Sequence, residues 1–158
     1  MIKITKEKLL KASITGFFST ITIGILTLLT YKTTMGLFLT ASFGASMVLL
    51  YGFPESPFAQ PKNIFFGHLL TALIGILFVN YIHLPIFINI ALAVGIGIFF
   101  MIALDVVHPP AGGNPIMVII GGVSYEYLIS PIIFGCLIIL LFGIILNKFI
   151  LKKNYPLK

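Results

Sequence analysis

Four apolar runs, at about residues 12–30, 64–82, 86–104 and 128–150, each come to the roughly 20 residues a helix needs to cross a hydrocarbon core. A chain of 158 residues that spends so much of itself this way has little left to coat a water-facing surface. Charged residues make up 9% and hydrophobic residues 59%, against the roughly 25% charge of a soluble domain. A soluble globule, a disordered chain and a coiled coil are excluded together. The sequence describes a single all-α polytopic membrane domain over 1–158.

Two further stretches are apolar but broken. Thr33-Thr34-Met35-Gly36 opens the run 33–53, and Thr40-Ala41-Ser42-Phe43-Gly44-Ala45-Ser46 interrupts it. The run 106–123 carries His108-Pro109-Pro110-Ala111-Gly112-Gly113-Asn114-Pro115 before its short apolar stretch. With both counted as crossings the chain has six membrane segments and both termini on one face. Lys3, Lys6, Lys8, Lys11, Lys62, Lys148, Lys152, Lys153 and Lys158 then share that face, which the positive-inside rule makes cytoplasmic. Five crossings would set the two basic tails on opposite sides. Residues 151–158 therefore read as a basic cytoplasmic tail, and the setting as the cell (inner or plasma) membrane. The first run lacks a small-residue cleavage site and is long enough to span, so it reads as a membrane helix rather than a signal peptide. The net charge of +6, all lysine and no arginine, thus bears on topology. A lipid bilayer is the expected partner and nucleic acid is not. There is no Trp, so Tyr31, Tyr51, Tyr81, Tyr125, Tyr127 and Tyr155 are expected to form the interfacial belt with lysine. The lone Cys136 reads as a small buried hydrophobe.

Laid over itself with Phe66 on Phe134, the chain places Phe66-Gly67, Leu69, Leu73, Gly75 and Ile76 on Phe134-Gly135, Leu137, Leu141, Gly143 and Ile144. The same offset places Gly44 on Gly112. Three crossings per unit is an odd number, so the two units, about 10–82 and 83–150, must be inverted relative to each other. Each would hold a broken half-helix at the same position, the sequence pattern of a membrane transport site. Proline lacks an N–H and restricts its predecessor, so His108-Pro109-Pro110 is expected to be extended. Asn114 suits an N-cap and Pro115 a first helical position, giving a half-helix over 115–123. Ser42 or Gly44 is expected to cap its counterpart over about 45–52. A Cβ at Gly44 or Gly112 is expected to crowd the turn. Both N-termini would then face the midplane and offer free N–H groups and positive dipole ends to an anion. The competing reading makes both breaks packing kinks.

Among polar residues, Asp105 and His108 read either as a proton-coupling or loop-positioning pair, or, for Asp105, as an interfacial loop residue. Their spacing lacks further ligands, so no metal is expected. His68 reads as packing or pore lining. Gln60 reads as a pathway entrance or part of a rigid turn in which Asn63 caps the following helix. His83 reads as an interfacial loop residue.

The stretch Asp105-Val106-Val107-His108-Pro109-Pro110-Ala111-Gly112-Gly113 resembles the signature of the HPP family of integral membrane proteins. Phe43-Gly44-Ala45-Ser46-Met47-Val48-Leu49-Leu50, then Ser56-Pro57-Phe58-Ala59-Gln60-Pro61-Lys62-Asn63 and Gly67-His68, resemble the same family. The resemblance covers nearly the whole chain. Some members carry C-terminal regulatory domains, which this chain is not expected to have. Plant plastid and cyanobacterial members are implicated in nitrite transport, so the resemblance implies a small inorganic anion as substrate. Gly113-Asn114-Pro115 departs from many relatives, which bears on the substrate rather than the fold.

The expectation is a transporter or channel-like protein, without cofactor and not an enzyme, carrying a small inorganic anion such as nitrite. Ser42, Gly44, Ala45, Ser46, His108, Pro109, Pro110, Gly112, Gly113 and Asn114 would bind the anion, with Asp105 and His108 coupling a proton or holding the loop. Gln60 and His68 would line the pathway. A chain this small is expected to form a homo-oligomer. The alternatives are a structural or regulatory membrane subunit and a membrane-embedded enzyme, the latter needing convergent groups where the sequence offers scattered Ser, Asp and His.

Overall fold

The computed structural model describes residues 4–34 and 36–157; Lys3, Met35 and Lys158, used in the sequence reading, lie outside the described residues. The described residues are helical, with no strand among them. Four helices are long and apolar enough to cross a membrane: α1 (Lys6–Lys32), α3 (Pro61–Tyr81), α4 (Ile86–Ala103) and α6 (Leu128–Ile150). Between them lie two short helices, α2 (Ala41–Gly52) and α5 (Asn114–Gly121).

Local chemistry sets the boundaries. Thr5 caps α1 by accepting from the Lys8 N–H at 3.2 Å, and Glu7 and Lys32 complement the dipole at its two ends. Ser19, Thr20, Thr22 and Thr30 each donate to the carbonyl four residues back, which satisfies a hydroxyl on a helix facing lipid. Pro61 occupies the first turn of α3. Gly122, at φ 55° and ψ 36°, supplies the left-handed cap that ends α5.

The short elements differ in detail from expectation. α2 begins at Ala41 behind an extended Thr40, so neither Ser42 nor Gly44 is its cap. His108 is extended, as expected ahead of proline, but Pro109–Gly113 forms a 3-10 turn. Asn114 is the first residue of α5 and Gly113 precedes it as the cap, so the Asn114 side chain is released for other work. Asn63 does not cap α3; its amide donates to the Val107 carbonyl at 3.0 Å.

α2 runs back along α1. The Phe38 N–H donates to Thr30 Oγ1 at 2.9 Å, Thr22 and Tyr51 share a hydroxyl–hydroxyl bond at 2.7 Å, and Lys11 lies over the Phe53 ring at 5.6 Å. α5 runs beside α3 in the same direction, from Gly67 against His108 to Gly75 against Val118. At one end of the bundle Lys62 meets Asp105 at 3.2 Å, Lys153 meets Glu55, and the Tyr155 hydroxyl donates to the Ala59 carbonyl at 3.0 Å. At the other, Tyr125 bonds Tyr81 and Ser130 donates to the Leu37 carbonyl. The basic tail is therefore docked on the loop before α3, with Tyr155 buried. Lys153 holds the Glu55 carboxyl below the usual carboxylate range, so this contact persists until the pH falls through that lowered value. The tyrosine belt is only half formed. Tyr31, Tyr81 and Tyr125 are exposed, whereas Tyr51, Tyr127 and Tyr155 are buried because each hydroxyl finds a partner inside.

Glycines on α3 and α6 make the seams against the short helices. A Cβ on Gly67 would sit 3.0 Å from the Val106 carbonyl oxygen, and one on Gly135 2.9 Å from that of Phe38. A Cβ on Gly75 would sit 2.9 Å from Val118 Cβ, and one on Gly143 2.7 Å from Leu50. The offset that carries Gly67 forward to Gly135 carries Val106 back to Phe38. It likewise carries Gly75 forward to Gly143 and Val118 back to Leu50, so these two contacts of one seam have counterparts in the other. α2 thus leans on α6, and α5 on α3. Gly44 and Gly112 behave otherwise: an added Cβ meets nothing within 4 Å, so the expected crowding is corrected to open space.

Without a hydrophobic drive between helices in lipid, such close packing is what holds them together. Gly75→Ala and Gly135→Ala are therefore expected to lower stability by about 1–3 kcal/mol each, through overpacking. Gly95→Ala, whose Cβ meets open space on α4, should be neutral or stabilising. Unfolding midpoints of the detergent-purified protein check this; equal midpoints for all three variants would contradict the seam.

Candidate functional site

The two breaks bring one polar cluster together inside the bundle. Ser42 and Ser46 lie four residues apart on α2 and so share a face, which is turned inward; Gly44, half a turn away, and Ala45 are exposed. α3 contributes His68 and, one turn on, Thr71. The break before α5 contributes His108 and Asn114. Ser46, His68, Thr71, His108 and Asn114 have no exposed surface and Ser42 has 7%. His68 is the eighth residue of α3, about 10 Å along a helix about 30 Å long, so the cluster lies a third of the way in from the Lys62 end.

The hydrogen bonds fix which atom carries each proton. Asn114 Oδ1 accepts from the Ser42 hydroxyl at 2.7 Å. Its Nδ2 faces the His68 carbonyl at 3.1 Å, an acceptor only, and so is the amide nitrogen. That same Nδ2 lies 3.0 Å from Thr71 Oγ1 and 3.0 Å from His68 Nδ1. Thr71 spends its own proton on the Gly67 carbonyl at 2.8 Å. The two N–H groups of Nδ2 are shared among these three acceptors. A donor-only nitrogen at that distance leaves no place for a proton on His68 Nδ1, so the proton sits on Nε2, donated to Ser46 Oγ at 2.9 Å. At the other end His108 Nδ1 faces the Phe58 carbonyl at 2.7 Å and must donate, which leaves His108 Nε2 to accept from Ser46 at 2.8 Å. The single Ser46 proton thus goes to His108, with the Ser42 carbonyl at 3.1 Å as its alternative. The result is a directed chain of hydrogen bonds from Asn114 through His68, Ser46 and His108 to the Phe58 carbonyl. Phe43 packs edge-on to His68 at 5.1 Å, and the two imidazoles meet edge to face at 5.0 Å.

No carboxylate belongs to this hydrogen-bond chain. Of the four acids, Asp105 pairs with Lys62, Glu55 with Lys153, Glu126 with Ser124, and Glu7 sits in the first turn of α1. Each imidazole carries one N–H in the pattern above, so the cluster is uncharged as drawn, the form in which buried polar groups are least costly in a membrane.

The predicted site residues separate accordingly. Ser42, Ser46, His68, His108 and Asn114 are together. Asp105 is apart from His108: it takes a left-handed φ of 54° at the end of α4, and its side chain is 95% exposed. Asp–His pairing is thereby corrected to a surface ion pair. Pro109 is exposed, and Pro110, Gly112 and Gly113 are half-buried in the 3-10 turn that delivers Asn114. Gln60 closes the loop 54–60 on itself through the Pro54 and Ser56 carbonyls and accepts from Leu157 N–H, a rigid turn. His83 lies in the loop between α3 and α4. Among the described residues no group of three or more His, Cys, Asp or Glu is arranged to hold a metal. Sequence reasoning missed Thr71 and the Phe58 carbonyl. Thr71 was signalled by its i+3 spacing from His68; a main-chain acceptor leaves no mark on a sequence.

The broken helices and the buried cluster with a His-Pro-Pro turn define a polytopic membrane protein of a specific kind. The family model described as HPP, transmembrane region, matches residues 4–156, and the chain belongs to that family. Two transmembrane proteins of Dictyostelium discoideum are similar to it. One is 35% identical over 126 residues, 75% of this chain and 44% of that protein. The second is 34% identical over 142 residues, 84% of this chain and 46% of that protein. The chain thus spans less than half the length of these relatives. No solved structure matches it.

The tautomers are a direct check. Nitrogen-15 spectra of labelled protein should show His108 protonated at Nδ1 and His68 at Nε2. Asn114→Ala should disturb the His68 signals and leave His108 at Nδ1, and should lower stability by about 1–3 kcal/mol by stranding buried partners. A His68 that carries its proton on Nδ1 in the wild type would break the chain as drawn.

Proposed function

We propose that this chain is a membrane transport protein for a small inorganic anion, nitrite first among candidates, built as two inverted units of three segments. The observation that carries the reading is the buried cluster of Ser42, Ser46, His68, His108 and Asn114 at the meeting of two broken segments. Polar groups held at depth on such segments are the usual make-up of a substrate site. The paired seam contacts, Gly67 with Gly135 and Gly75 with Gly143, support the two-unit architecture. The contacts gathering residues 53–63, 105 and 153–155 at one end support six crossings with both termini on the cytoplasmic side. The membrane is the cell membrane and the working form a homo-oligomer in this reading, which assigns the chain no enzyme activity.

The chemistry follows from the donors. Hydroxyl, amide and imidazole N–H groups recognise an anion without demanding a fixed charge. In the arrangement described they satisfy one another, so an anion enters by replacing the Ser46 and Asn114 bonds. The directed chain through Ser46 also gives a proton a route between the two imidazoles, so proton coupling moves from the expected Asp105–His108 pair to His68 and His108. The complete burial of the cluster favours one other reading, a structural or regulatory subunit in which it only locks the breaks in place.

Flux decides between them. Purified protein in liposomes should move nitrite, and other anions should rank behind it, above protein-free liposomes that control for neutral nitrous acid. Ser46→Ala, folded and inserted, should reduce flux about tenfold or more, the scale of one lost hydrogen bond to a charged ligand of about 1.5–3 kcal/mol. No flux above the protein-free level for any anion supports the structural reading. Labelling of single cysteines at positions 8 and 152 in a Cys136→Ala background should occur from the same side; opposite sides would end the six-crossing reading.

A further inference from the structure

We infer that the groove between α1 and α2 is a binding site for one anionic phospholipid, held with its headgroup at Lys8 and Lys11. This proposal is independent of the transport reading. The groove encloses about 580 Å³. Lys8, Lys11 and Phe53 stand at one end, Gly16, Gly44 and Val48 along its walls, and Ile23 at the far end. An added Cβ on Gly16, Gly44 or Gly52 would meet no atom within 4 Å, so the missing side chains are what open the space. From Lys8 to Ile23 the groove runs about 22 Å along α1, a headgroup plus one leaflet of a hydrocarbon core about 30 Å thick.

The polarity along it is that of a phospholipid. Two ammonium groups come first, then the hydroxyls of Thr15 and Ser19, then aliphatic side chains. Lys11 is half-buried, its ammonium over the Phe53 ring at 5.6 Å, which holds the charge at the mouth. Glu55 on the facing loop is occupied by Lys153, and Glu7 does not wall the groove. Neither Lys8 nor Lys11 is in a salt bridge among the described residues, and Glu55, which also feels the Lys11 charge, is bonded to Lys153. A second copy related by an axis along the membrane normal would bring its own Lys8 and Lys11 to the same depth. Like charges there disfavour it.

The test uses the full chain in mixed micelles, with dioleoyl phosphatidylglycerol and dioleoyl phosphatidylcholine as probes and retained lipid read by native mass spectrometry. Wild type should prefer phosphatidylglycerol on the order of tenfold, about what two basic side chains at a membrane surface supply. Lys8→Gln with Lys11→Gln should bring that preference close to parity, whereas Lys148→Gln with Lys152→Gln should keep it. Gly16→Leu should reduce retention of both lipids while the lysines remain, and circular dichroism verifies that it is folded. A preference that survives the Lys8/Lys11 change overturns the proposal. So does full retention in folded Gly16→Leu, or a Gly16→Leu chain that loses a dimer but no lipid. If Gly16→Leu does not fold, Gly16→Val gives the same reading with a smaller fill.

Discussion

Main chain that leaves a helix inside a membrane must find its hydrogen bonds within the protein. Two stretches of this chain leave the helix, 36–40 and 104–113, and much of its packing supplies them with partners. The first break is satisfied from outside itself: the Phe38 N–H by the Thr30 hydroxyl, the Leu37 carbonyl by Ser130. In the second, the Val107 carbonyl is met by Asn63 and the His108 ring by the Phe58 carbonyl. Such partners reach only because the breaks lie hard against α6 and α3, at Gly135 and Gly67. Side chains at those two positions would hold the main chain off and leave its carbonyls facing lipid. The glycine seams are thus the condition for having breaks at all.

The cluster follows from the breaks. Extended residues ahead of α2 and the 3-10 turn ahead of α5 carry Ser46 and Asn114 to opposite nitrogens of one imidazole. Ser46 has one proton and two imidazoles to serve, so its orientation is set by what His68 and His108 present. Those in turn are set by Asn114 at one end and the Phe58 carbonyl at the other. A change at Asn114 therefore disturbs the bonds of His68, while the Phe58 carbonyl keeps His108 oriented.

How much of this could be read from sequence depends on range. The four long helices were legible to within two turns at each end, because an unbroken apolar run in lipid has no other regular structure open to it. The breaks were legible from Pro109, Pro110 and the glycines, and so was the concentration of chemistry around them. What failed was local geometry decided by distant contacts. Asn114 carries every mark of an N-cap, yet Ser42, His68 and Thr71 offer its amide more bonds than the helix start does. Asp105 and His108 have the spacing of a pair, yet the left-handed turn at Asp105 sends it to Lys62. Gly44 and Gly112 aligned when Phe66 was laid on Phe134, and were read as close-approach glycines. The crowded ones are Gly67, Gly75, Gly135 and Gly143, equally visible in the same alignment but set on helices that looked ordinary.

The same recurrence also separates scaffold from chemistry. The four seam glycines recur, and so does the leaning of each short helix on a long one. The imidazoles do not. The position of His68 is matched by Cys136, that of His108 by Thr40, and that of Asn114 by Ser46. Cys136 sits in the apolar core with Phe43 and Ile139, and Thr40 serves Tyr127 rather than an imidazole. Residues from both glycine seams therefore meet in one cluster, with both imidazoles at the seam of α3 with α5 and Ser42 and Ser46 at that of α2 with α6. A scaffold that needed only to lock two breaks would be served equally by hydroxyls on both sides, as it is at Thr40. Two histidines at one seam, bridged by Ser46 from the other, make the cluster directional, with a donor end at Asn114 and an acceptor end at the Phe58 carbonyl in the loop before α3. That polarity is the feature on which the proposed relay between the imidazoles rests.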